Sequence, residues 1–279
     1  MNIQYVYKEN TVVFAPVEDY DLGQTFDCGQ CFRWAEKDGR WLGFAGSYPC
    51  RVWLEGTSLC VKPLCPVEDT ESFAQFMLHY LGLDMDYAAM KAQFSQDSVM
   101  KAAIEYAPGI RVLNQPFFET LITFIISRNN NIPRIRKIVN AMSETYGTKV
   151  GDMYAFPTPQ QLEDVSIEEY SELKMGFRAK YVYDAVQKIL AGDVDETTVK
   201  NLPYADAQKH LMQIKGVGPK VADCVLLFSC EKYESFPKDV WINRALRQLF
   251  PQGLPDCIKG VEGIAQQYIF HYARFNLEK

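Results

Sequence analysis

LMQIKGVGPKVADCVLLF, residues 211–228, is two apolar helical segments joined by the turn Lys215-Gly216-Val217-Gly218-Pro219. Leu211 and Ile214 precede the turn, and the second segment starts at about Lys220. Glycine at 216 and 218 permits backbone angles that a side chain forbids. A helix opening after such a turn points N–H groups and its positive dipole end outward, which suits a phosphate oxygen and ignores base identity. A plain helix corner with packing glycines would carry the same pattern, so Gly-x-Gly alone does not decide. Lys220 and Asp239 shift the balance. A lysine in the first turn of a helix sits against the positive dipole end, and once desolvated its amine can act as a nucleophile. Asp239, in the Pro-x-Asp that opens the next helix, is expected to stay ionised there, and it is also an ordinary N-cap candidate. An amine beside a carboxylate suits attack on a carbon that develops positive charge, such as a sugar C1′ losing its base.

Outward from this hairpin, the chain divides in two. CFRWAEKDGRWLGFAG (31–46) alternates aromatic and polar residues around an Asp38-Gly39 hairpin signal, and PCRVWLEGTSLCVKP (49–63) turns at Glu55-Gly56. After Pro66 the apolar spacing becomes helical, in ESFAQFMLHYLGLD (71–84), DYAAMKAQF (86–94) and SVMKAAIEYA (98–107), and from Gln115 nearly everything is helical. The expected fold is α+β. A small antiparallel α+β domain (1–105) precedes a larger all-helical domain (106–279), with the helix–hairpin–helix at about 205–230.

The 279 residues are 48% hydrophobic and 23% charged, which excludes disorder as the main state. The net charge of −6 argues against a nucleic-acid binder globally, but the charge is segregated. In Ser127–Val150, Arg128, Arg134, Arg136, Lys137 and Lys149 face only Glu144, whereas Gly151–Glu172 carries six acids and no base. No run has membrane-helix length, and MNIQYVYKEN lacks a basic start followed by an apolar stretch. A soluble intracellular protein is therefore expected. The eight cysteines read as free thiols there. The pairs Cys28/Cys31 and Cys60/Cys65 could suggest zinc, but no histidine lies near them, and only Cys257 follows Cys230 where a cluster-binding pattern would need more. No metal and no cofactor is expected.

Five segments in order, GQCFRW (29–34), SRNNNIPRI (127–135), GFRAKY (176–181), GVGPKVADC (216–224) with PKDV (237–240), and GIAQQYIF (263–270), resemble the bifunctional 8-oxoguanine DNA glycosylases of the helix–hairpin–helix superfamily. The resemblance implies a glycosylase with β-lyase activity on duplex DNA, excising 8-oxoguanine opposite cytosine. It makes Lys220 the nucleophile and Asp239 the carboxylate that steadies the transition state. Gly29, with Gln30 and Phe32 beside it, would meet the lesion. Cys224 and Phe270 would sandwich the flipped base, and Gln266, four residues before Phe270 on one helix face, would bond its pairing edge. Asn129, Arg134 and Arg178 would hold the orphaned cytosine, with Asn130 and Asn131 also on the DNA, Phe177 as the wedge, and Lys215, Gly216 and Gly218 on the backbone. One of the three asparagines is also expected to cap a helix. Trp241 and Phe177 depart from the histidine and tyrosine more common in the family. The partner implied is double-stranded DNA containing 8-oxoguanine, with no membrane and no obligate protein partner, for a monomer. The lack of long insertions and of a basic nuclear tract points to a prokaryotic, cytoplasmic, nucleoid-associated enzyme. A glycosylase for another lesion and a non-catalytic DNA-binding module remain the alternatives.

Overall fold

The computed structural model describes residues 3–277. Strands β1 (Gln4–Lys8) and β2 (Thr11–Ala15) are followed by α1 (Leu22–Phe26). Then come β3 (Ala35–Lys37), β4 (Arg40–Ala45), β5 (Tyr48–Glu55) and β6 (Ser58–Pro63). They form one antiparallel sheet in the order β1-β2-β6-β5-β4-β3. Asp38 and Gly39 are both left-handed (φ 54° and 73°) between Lys37 and its partner Arg40, the mirror-type turn that Asp-Gly signals. The other hairpin pairs Glu55 with Ser58, so its turn is Gly56-Thr57, one residue later than expected.

One sheet face packs against α2 (Thr70–Tyr80), burying Phe14, Val52, Leu59 and Val61 with Phe73, Met77 and Tyr80. Trp34 stacks on Phe26 at 4.4 Å and donates its indole N–H to the Tyr80 hydroxyl at 2.9 Å, so the ring is buried with its polar tip satisfied.

The remainder is built from α3 (Tyr87–Phe94), α4 (Ser98–Tyr106), α5 (Phe117–Ile126), α6 (Ile132–Tyr146), α7 (Ile167–Glu172) and α8 (Ala179–Leu190). It continues with α9 (Glu196–Asn201), α10 (Tyr204–Leu211), α11 (Pro219–Ser229), α12 (Val240–Leu249) and α13 (Glu262–Asn276). It is not wholly helical, because β7 (Lys149–Val150) pairs with β8 (Met153–Tyr154). The two buried clusters interleave in sequence around position 105. Tyr87, Phe94, Met100, Ala103 and Ile104 of α3 and α4 are buried in the helical core, whereas Leu83 and Leu113 belong to the sheet core. Apolar spacing marks the buried face of a helix without saying what buries it.

Helices α5 and α11 lie at the centre. Leu121 to Ile126 and Val221 to Ser229 are buried without interruption, and Phe124 stacks on Phe228 at 5.5 Å. Helices enclosed on every side reach solvent only at their ends. Gln115 and Arg33 are among the residues that hold the sheet layer to this core. Gln115 donates its backbone N–H to Phe228 O and its side chain to Gln30 O, at 2.7 and 2.8 Å. Arg33 pairs with Glu119 at 3.6 Å and lies over Phe44 at 4.2 Å.

Burial pushes the Glu119 carboxyl up, and Arg33 pulls it back. Arg33→Met strands that carboxylate and is expected to cost about 3 kcal/mol near neutral pH. A carboxyl raised in the folded state favours folding at low pH and loses that contribution as pH rises, so the deficit should be smaller at pH 5 than at pH 8. Denaturant melts at the two pH values check this.

Candidate active site

The N-terminal ends of α11 and α12, the last helix α13 and the loop after α1 meet at a solvent-open cleft of about 340 Å³. Gly29, Phe124, Lys220, Cys224, Asp239, Gln266 and Phe270 are among its lining residues. The cleft opens into a groove of about 1370 Å³ that shares Gly29, Lys220, Asp239 and Phe270 and adds Phe32, Arg128, Asn129 to Asn131 and Trp241. Residues separated by more than two hundred positions thus share one opening.

Lys220 is the second residue of α11, with Gly218 as N-cap and Pro219 in the first position. Its Nζ lies 5.0 Å from the centroid of the Phe124 ring. The helix end opposes a cation at Nζ, and the ring face and the Asp239 carboxylate attract one. Asp239 caps α12 by accepting the Ile242 N–H at 2.8 Å. The expectation that this helix end keeps the carboxylate readily ionised needs correction. Burial is the largest influence and raises the Asp239 carboxyl, while the Ile242 N–H and Lys220 pull it back only in part.

Gly29 is left-handed (φ 87°), and a Cβ there would find no atom nearer than 3.7 Å, so its backbone is open to close approach. Cys224 is a protonated thiol, pushed up to about 11 by burial against the pull of Lys220, and offers a polarisable apolar face. Phe270 lines both cleft and groove. Gln266 donates to the Pro237 carbonyl at 3.0 Å and accepts from Gln267 at 2.6 Å. Gln30 does not face the cleft. It is buried, with its amide spent on Thr25 O, Arg111 O and the Leu113 N–H at 2.7–2.8 Å, and it braces the loop that carries Gly29. Phe32 meets Phe124 edge-on at 5.8 Å and supports the ring beside Lys220.

The three asparagines divide their tasks. Asn131 caps α6 by accepting the Arg134 N–H, and Asn130 donates to Ile126 O. Asn129 is exposed and left-handed (φ 45°). Arg178, expected to read cytosine, is 2% exposed and grips the carbonyls of Arg128, Asn129 and Met175, so in this conformation it supports the asparagine loop from beneath. Arg134 is exposed and reaches Lys174 O, and Phe177 is 47% exposed beside Arg178 and Tyr181. At the hairpin, Gly216 (φ 84°) has a packing duty, because a Cβ there would lie 2.4 Å from Tyr181 Cγ. Gly218 is extended with open space around it, and Lys215 is tied to Asp184 of α8.

Phe124 and Gln267 were not among the expected site residues, and Arg128 entered only as part of the basic stretch 127–150. Phe124 sits inside a continuous apolar helix, and nothing in such a run distinguishes the ring that borders an amine. The described residues hold no group of three or more His, Cys, Asp and Glu placed for a metal ion, and no helix among them is long and apolar enough to cross a membrane.

The family model for the 8-oxoguanine DNA glycosylase N-terminal domain matches residues 12–121. The N-glycosylase/DNA lyase of Saccharomyces cerevisiae is 36% identical over 81% of this chain and 67% of its own length. The N-glycosylase/DNA lyase OGG1 of Arabidopsis thaliana is 31% identical over 85% of this chain and 70% of its own. The solved 8-oxoguanine glycosylase/lyase of Clostridium acetobutylicum, in complex with double-stranded DNA containing cytosine opposite 8-oxoguanine, superposes with a TM-score of 0.90. It is 35% identical and covers 98% of each chain.

Three substitutions test the geometry. Asp239→Asn keeps a capping oxygen while removing a buried charge. A raised carboxyl loses its stabilising contribution as pH rises, so the melting temperature of the variant should match the parent at about pH 4 and exceed it at about pH 8. Gly216→Ala should cost about 1–3 kcal/mol from backbone strain and the Tyr181 collision. Gly218→Ala should stay within about 1 kcal/mol in a thermal melt yet weaken duplex binding.

Proposed function

The chain belongs to the 8-oxoguanine DNA glycosylase/lyase family, and from that premise we propose how its cleft removes an oxidised purine and then nicks the strand. The observation that carries the proposal is the meeting of Lys220 and Asp239 with Gly29, Cys224, Gln266 and Phe270 in one opening at the mouth of the hairpin helix.

A base cannot be attacked at C1′ inside the stack, so the nucleotide leaves the duplex and its purine enters the cleft. Cys224 and Phe270 offer apolar faces to the ring. Guanine carries an acceptor at N7, and oxidation at C8 turns it into an N–H donor. The Gly29 carbonyl, which can only accept, attracts the oxidised base and repels the ordinary one. The Gln266 carboxamide faces the pairing edge. Asn129, which lines the groove, and the exposed Arg134 meet the unpaired cytosine, Arg178 holds the Asn129 loop in place, and Phe177 fills the gap as a wedge. The outward N–H groups at Gly218 and the start of α11 take a backbone phosphate.

As the bond from C1′ to the base breaks, its electrons leave with the purine and positive charge grows on the sugar. The Asp239 carboxylate stabilises that charge. Lys220 bonds to C1′ through Nζ and gives up a proton, which is balanced by the proton that the departing purine takes up. Opening of the sugar ring gives a Schiff base, loss of a C2′ proton expels the 3′ phosphate, and water releases the enzyme. The groups assigned to the reaction all come from one chain, which suits a monomer. Asp239 must be ionised to act and its carboxyl is raised, so base release falls on the acid side above the ordinary aspartate range.

Lys220→Gln is expected to bind an 8-oxoguanine:cytosine duplex while losing borohydride-trappable complex and turnover. Asp239→Asn should slow base release by about 10²–10³-fold. Trapping retained by the glutamine variant would overturn the nucleophile assignment. Release of 3-methyladenine in preference to 8-oxoguanine would overturn the substrate.

A further inference from the structure

We propose that Gln267 is a positioning residue for base recognition, locking the Gln266 carboxamide in one orientation and tying it to the loop that carries Gly29. The proposal rests on the function proposed above. Its logic starts at the Pro237 carbonyl, which can only accept a hydrogen bond. The atom of Gln266 facing it at 3.0 Å must therefore be Nε2. Gln266 Oε1 then points the other way, where Gln267 Nε2 donates to it at 2.6 Å. That contact orients Gln267 in turn, leaving its Oε1 facing Cys28 Sγ at 3.6 Å.

Cys28 is the donor in this contact, and burial pushes its thiol up to about 11, so it keeps its single proton, which Gln267 Oε1 shares with the nearer Thr25 carbonyl. Its sulfur also lies 3.2 Å from Thr25 O and 3.3 Å from Gln30 Nε2, so it belongs to the brace behind Gly29. The chain of bonds runs from Pro237, two residues before Asp239, through both glutamines to Cys28, the neighbour of Gly29. Gln266 and Gln267 are 3% and 4% exposed.

An unrestrained carboxamide rotates and offers donor and acceptor interchangeably. One held at both ends keeps them in fixed order, as a purine edge with an N1–H donor beside an O6 acceptor requires. The two recognition elements, the Gly29 carbonyl and the Gln266 amide, come from opposite ends of the chain. Gln267 sets their register.

Single-turnover release of 8-oxoguanine from an 8-oxoguanine:cytosine duplex, compared with strand cleavage at a preformed abasic site opposite cytosine, tests this. The abasic substrate has no base to read. Gln267→Met, which keeps volume without the donor, and Gln267→Glu, which sets an acceptor against Gln266 Oε1, should each slow base release about 10-fold or more, with abasic cleavage within about twofold of the parent. Base release at the parent rate in Gln267→Met would overturn the proposal. So would an equal fall of both activities, which marks a general packing defect. An unsubstituted enzyme inert on 8-oxoguanine would remove the proposed function and the relay with it, and it is recognised because it needs no substitution.

Discussion

The burial of α11 against α5 is the constraint on which the rest depends. Residues 221–229 are all buried, and Phe124 and Phe228 stack between the two helices. An enclosed helix exposes chemistry only at its ends, and the exposed end here is the one where the hairpin turn has placed Lys220. The same packing sets the Phe124 ring beneath Nζ and brings the capped start of α12, with Asp239, to the same opening. Displacing α11 by one helical turn would withdraw the amine from the cleft, so the hydrophobic core and the reactive centre are one piece of architecture.

Electrostatics and burial act in opposite directions across this opening. The helix N-termini supply positive potential and suit a phosphate backbone despite an overall net charge of −6. Burial meanwhile raises Asp239 and Cys224, giving an acid that ionises reluctantly and a thiol that stays neutral. That combination fits a site that must greet an anionic polymer and then offer an apolar slot to one of its bases. The asparagine loop shows a related division of labour. Arg178 shapes the loop from beneath, while Asn129 and Arg134 are exposed.

Much of this was legible from local pattern. The Asp38-Gly39 hairpin, the Gly-x-Gly turn, the first-turn position of Lys220 and the capping place of Asp239 all depend on neighbours within a few residues, and the structure places them as read. What escaped depends on distant partners. Gln30 stands in a recognisable motif, but only the approach of Thr25, Arg111 and Leu113 turns its amide inward. Arg178 is drawn under a loop fifty residues earlier in the chain. Helix α4 has an apolar face and α3 buries Tyr87 and Phe94, yet neither pattern can announce which core receives it. Asp239 was read from the helix end alone, and its burial, which outweighs that influence, comes from elements far away in sequence.

The central claim is that an extruded oxidised purine occupies the cleft with its sugar at Lys220. A crystal structure of the Lys220→Gln variant with an 8-oxoguanine:cytosine duplex tests it most directly. The account expects the base between Cys224 and Phe270, its N7 within hydrogen-bond distance of the Gly29 carbonyl, and C1′ beside residues 220 and 239. A lesion still stacked in the duplex, or turned out to a different surface with C1′ remote from both residues, would contradict it.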